Sequence, residues 1–117
     1  MPIIKLWCLP QQTEDQLNLL HQAIVKEVCS IKELGFRDEN DMVVLFPPDM
    51  MSYGLGSEVF VEISGIFNAP EVTPEPLNRL AKNIGQMVSS KFPEAKVECF
   101  VNQVKPSAGF WTSTSTQ

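Results

Sequence analysis

A single numerical echo constrains this chain more than any other feature. Leu17, Leu20, Ile24 and Val28 recur sixty positions later as Leu77, Leu80, Ile84 and Val88. Each set is spaced by steps of three and four, so each marks the apolar face of an amphipathic helix. Ile31 extends the first face. The start signals repeat as well, since Thr13 returns as Thr73. Thr13 is followed by Glu14, Asp15 and Gln16, which predicts a capping box with acidic side chains at the positive end of the helix. Thr73 is followed by Pro74 and Glu75, a proline suited to the first helical position. Gly35 and the FPEA stretch are the expected stops.

Strand signals flank both helices: PIIKLWC at 2–8, MVVLF at 42–46, EVFVEISGIF at 58–67 and VECFV at 97–101. Ile63 and Ile66 fall on Ile3 and Leu6 by the same offset. The chain therefore reads as one domain, 1–117, of two β-α-β halves over about 1–57 and 58–117. Right-handed crossovers leave both helices on one face of a four-stranded mixed sheet, an α+β fold. The 58–67 strand is nearly continuous in apolar character, as in a strand covered on both sides. The chain's own helices cover one side only, so a further copy is expected to cover the other.

Composition narrows the functional classes. Apolar residues make up 44% and charged residues 20% of 117 positions, a globular profile. The net charge of −5 comes with scattered basic residues and no basic face, which argues against nucleic acid as partner. No apolar run is long enough to span a bilayer, so no membrane partner is expected. Cys8, Cys29 and Cys99 have neither disulfide-framework nor zinc spacing and read as reduced thiols of a cytoplasmic protein. One histidine, His21, leaves no His-rich metal site.

Pro2 opens the first strand, where its missing N–H costs nothing. If Met1 is removed, Pro2 becomes a secondary amine. An α-amino group titrates near about 7.7–8.0, and burial lowers that value. Such a base is matched to taking a proton from carbon beside a carbonyl. Strand alternation puts Lys5 on the face away from Pro2, Ile4 and Leu6.

MPII at the start, PDMMSYGLGSE at 48–58, ISGIF at 63–67 and SAGFWTSTS near the end accompany this repeat. Together they resemble the tautomerase superfamily, above all its double-length members such as macrophage migration inhibitory factor and 5-carboxymethyl-2-hydroxymuconate isomerase. The resemblance implies a homotrimer with sites between subunits and no cofactor. It implies that Pro2 is the general base of an isomerisation moving a proton on a small unsaturated keto or enol acid. Arg37 falls at the cationic position that would hold an anionic substrate's carboxylate; pairing with Asp38 or Glu39 is the plain alternative. Ile66 matches the position whose backbone N–H lines the pocket, and Phe110 and Trp111 would form an apolar wall. The fourth strand departs from the pattern. Its tyrosine position holds Val97 or Glu98 and its asparagine position Cys99 or Phe100, which disfavours phenylpyruvate- and dopachrome-type activity. Glu98 is either a substrate-facing acid or base, or an exposed edge carboxylate. The altered strand also leaves room for a non-catalytic trimer that binds a ligand or partner.

Overall fold

A computed structural model describes residues 1–47, 57–68 and 72–113. The strands are β1 (Ile3–Trp7), β2 (Val43–Leu45), β3 (Glu58–Phe67) and β4 (Lys96–Val104); the helices are α1 (Glu14–Ser30) and α2 (Pro74–Lys91). The sheet order is β2-β1-β3-β4. β1 runs parallel to β2 and β3 parallel to β4, while the central pair β1 and β3 is antiparallel. Two β-α-β halves thus meet at a mixed centre.

At the start of α1 the Thr13 hydroxyl accepts the Gln16 N–H at 3.1 Å, and the Thr13 N–H donates to Gln16 Oε1 at 2.8 Å. The expected capping box is complete. α2 starts at Pro74 as expected, but Thr73 makes no capping bond with its side chain. Proline lacks one of the N–H groups that a cap would satisfy, which lessens the need. Gly35 closes a later 3-10 turn, Lys32–Leu34, with φ of 75°, whereas α1 itself stops at Ser30.

Leu20, Ile24, Val28 and Ile31 from the first half and Leu77, Leu80, Ile84 and Val88 from the second enter one buried cluster. They pack on Ile4, Leu6, Val59, Val61, Ile63 and Ile66, so both helices cover the same face of the sheet. Arg79 on α2 ties the halves together at the surface, donating to Glu33 Oε2 at 2.7 Å and Glu75 Oε2 at 2.6 Å. That guanidinium holds the Glu33 carboxyl below its usual range.

In the single chain β3 is buried on alternate residues; Phe60 and Glu62, on the side away from the helices, are half-buried, and this is the face expected to meet a further copy. The side chains of Leu45, Phe67 and Phe100 are exposed. One expectation needs correction, because the sixty-residue offset fails in the strands: Ile63 is buried, whereas Ile3 faces the open side, next to buried Ile4. A shift of register between Ser64 and Ile66 explains this, because the bulge at Gly65 lets Ile63 and Ile66, three residues apart, share one face. The PDMMSYGLG stretch, with Tyr53 and Pro48, lies outside the described residues.

Candidate functional site

The start of β1 lies in the middle of the sheet, and the site is built there. Pro2 is fully buried. Its carbonyl accepts the Val43 N–H at 2.9 Å, just before β1 and β2 pair as Ile3 with Val43. On the other side the ladder to β3 ends at Ile3 and Ser64. Having no N–H, Pro2 leaves no donor stranded at that boundary. Met1 turns outward and is 66% exposed.

Beside Pro2 stands Gly65, with φ of 87°. A Cβ built on it would collide with the Met1 carbonyl oxygen and stand 3.3 Å from Pro2 Cα. Sequence reasoning did not single out this residue, although a glycine inside a strand pattern signals a bulge or a close backbone approach.

Because β3 and β4 run against β1, their C-terminal ends reach the same edge of the sheet as Pro2. Ile66 is there and is buried. Phe67 follows, its ring 4.9 Å from that of Phe110 at 79°, an edge-to-face contact. The Asn68 N–H donates to the Val104 carbonyl at 2.7 Å and holds the two strand ends together. Pro2, Ile66 and Phe110 thus share one end of the sheet. Trp111, 83% exposed, extends past it.

Arg37 precedes β2 on the same side as the Pro2 end of β1. Its backbone N–H donates to Asp41 Oδ2 at 2.7 Å, and its Nε lies 3.7 Å from the same oxygen. The paired carboxylate is Asp41, four residues on, rather than Asp38 or Glu39. Asp38 is engaged elsewhere, since its Oδ1 accepts the Asn40 N–H at 2.9 Å and caps the short turn Glu39–Asp41. The Arg37 side chain is 87% exposed.

Glu98 lies at the other end of the sheet. It pairs with Phe60, which in turn lies opposite Trp7. Within one chain, therefore, Glu98 and Pro2 are not brought together. On β4, Glu98 and Phe100 are exposed, while Val97 and Cys99 pack toward the helices. Burial pushes the Cys99 thiol up to about 12. Lys5 occupies the open face, its Nζ 6.0 Å from the Trp7 ring centre, and Trp7 Nε1 donates to Glu62 Oε1 at 3.3 Å. A groove of about 470 Å³ between the start of α2 and β4, lined by Asn68, Leu77, Phe100 and Gln103 among others, does not reach Pro2.

No family model matches the chain. No curated protein matches it in sequence. Solved structures do match. A member of the cis-3-chloroacrylic acid dehalogenase family superposes with a TM-score of 0.71 at 11% identity, over 96% of this chain and 81% of its own. A fused 4-OT described as an asymmetric trimer gives 0.67 at 10% identity, over 97% and 94%. Macrophage migration inhibitory factor from Toxoplasma gondii gives 0.66 at 15% identity, over 96% and 97%. At these identities the likeness is one of architecture: the chain has the fold of the tautomerase superfamily.

Proposed function

We propose that this chain is a cofactor-independent tautomerase or isomerase that moves a proton on a small unsaturated keto or enol acid. Pro2 is the general base once Met1 has been removed. The observation that carries this reading is the burial of Pro2 at the central end of the sheet, beside a residue without a side chain, while Met1 projects outward. Removal of Met1 turns an amide nitrogen into an amine. Burial there disfavours the ammonium form and favours a neutral base near neutral pH. The amine takes a proton from carbon next to the substrate's carbonyl and returns it to another carbon of the resulting dienol, so the reaction is a net shift of one proton. Arg37 leaves Asp41 to grip the substrate's carboxylate through two parallel N–H donors. The Ile66 backbone, Phe110 and Trp111 complete the wall and limit water.

The open face supports a homo-oligomer. Leu45 and Phe100 are 42% exposed there, and a fold relative is described as a trimer. In a homotrimer a neighbouring copy would also bring its own β4, and with it Glu98, toward sites shared between subunits. A second reading is a non-catalytic binding trimer of the same fold. It is favoured by the occupation of Arg37 with Asp41 and by the separation of Glu98 from Pro2 in the chain.

The deciding experiment combines intact mass, to establish that Met1 is absent, with turnover of 2-hydroxymuconate-type and enol-pyruvate substrates. Turnover by the processed protein that is lost in Pro2→Ala supports the base. Absence of turnover in both, with retained binding of the substrate, selects the second reading.

A further inference from the structure

Gly65 and Gly35 both have positive φ, 87° and 75°, yet their surroundings differ. Around Gly35 a Cβ would meet nothing within 4 Å. At Gly65 it would strike the Met1 carbonyl oxygen and lie 3.3 Å from both the Met1 carbonyl carbon and Pro2 Cα. Gly35 is thus a matter of backbone conformation alone, whereas Gly65 also leaves space at the Pro2 nitrogen. The occupant of that space is a planar carbonyl group bonded to the nitrogen. We propose that Gly65 is a positioning residue, whose missing side chain keeps open, directly against the Pro2 nitrogen, the place that a planar carbonyl or carboxyl group of the substrate enters. The inference rests on Pro2 being the working amine. The Met1 acyl group stands in for the substrate's reacting carbon and carbonyl oxygen and marks their direction of approach. A substrate carbon lies further out along that line, about 3–3.5 Å from the nitrogen rather than at bonding distance. The bulge between Ser64 and Ile66 bends β3 at this place, so the space is a product of the strand's irregularity. A side chain on residue 65 would fill it before any substrate arrived.

The test acylates the full chain after removal of Met1, with N-hydroxysuccinimidyl acetate near neutral pH. Peptide mass spectrometry follows acetylation of Pro2 against that of the exposed Lys26 and Lys32. In Gly65→Ala the Pro2 rate should fall about tenfold or more relative to the lysines. In Gly35→Ala, which carries the same backbone strain without the obstruction, the ratio should stay at the wild-type value. Equal ratios for Gly65→Ala and wild type overturn the proposal. So does an equal fall in Gly35→Ala, or a wild-type Pro2 that resists acylation while the lysines react. Should Gly65→Ala not fold, a wild-type series from acetyl to pivaloyl esters decides. A Pro2 to Lys26 ratio that drops steeply with bulk supports the inference, and a flat ratio overturns it. None of these readouts needs turnover. An inactive protein with a selective loss in Gly65→Ala would overturn the base, and with it the substrate-positioning role, and leave only the access that Gly65 gives to the nitrogen.

Discussion

The Val43 N–H donates to the Pro2 carbonyl at 2.9 Å. This bond joins the first residue of β2 to the residue before β1. It fixes the start of β2 against Pro2, while Arg37, six residues earlier and across the turn Glu39–Asp41, pairs with Asp41. The position of Pro2 against β2 is therefore set by a backbone bond that tolerates side-chain replacement.

Removing the proline ring tests the base. Pro2→Ala keeps an amine but loses the fixed ring, and kcat is expected to fall by about 100-fold or more, within the range for a positioned base. Protein that retains Met1 should be inactive at any pH. Steady-state rates on samples whose first residue is verified by mass check both statements.

Arg37 is expected to act mainly on binding. A charge-assisted bond contributes about 1.5–3 kcal/mol, so Arg37→Gln should lower kcat/KM by roughly 10- to 100-fold, chiefly through KM. Asp41→Asn releases the guanidinium from its present partner and should lower KM for a carboxylate substrate. A rise in KM would show that Asp41 instead holds the arginine in position.

The core prediction is independent of function. Leu80 is fully buried between α2 and the sheet. Leu80→Ala should cost about 2–5 kcal/mol in urea unfolding, for lost burial and the cavity left behind.

Stability should decline in alkali. The Cys99 thiol rises from its ordinary 9.0 to about 12 because burial disfavours the thiolate. A folded value above the unfolded one means that the folded chain holds its proton more tightly. The contribution is fully present below about pH 9 and is lost between pH 9 and 12. Burial and the nearby Asp38 and Asp41 push Cys29 in the same direction. Urea midpoints measured from pH 8 upward should fall less steeply in Cys99→Ala than in wild type.

The open face should report assembly. Phe100→Glu places a carboxylate on an exposed apolar position of β4. It is expected to shift native mass toward the single chain while leaving the far-ultraviolet spectrum intact. An unchanged oligomer would remove this face from the interface.

Much of the fold could be read from residue types because helix faces and caps are local. Thr13, Gln16 and the two leucine-rich faces encode α1 and α2 within one or two turns, and the bounds of β3 follow from its apolar run. The extent of β4 was harder. Lys96, Asn102, Gln103 and Val104 join it through pairing to β3, a contact between distant segments. The candidate site was legible in part. Pro2, Ile66 and Phe110 lie at one end of the sheet because chain direction brings their strand ends to the same edge. The partner of Arg37 was missed, since the turn Glu39–Asp41 carries Asp41 back to it while Asp38 is spent on capping. Gly65 was missed because a bulge changes which face each later residue occupies, and alternation alone cannot register that.

The outward path of Met1 past Gly65 has a practical bearing on how the protein is produced. Any affinity tag or fusion partner joined ahead of residue 2 converts the proline nitrogen into an amide and plugs the notch beside it. Material purified through an uncleaved amino-terminal handle would look like a dead enzyme whatever its native capability. Purification handles therefore belong at the carboxyl end.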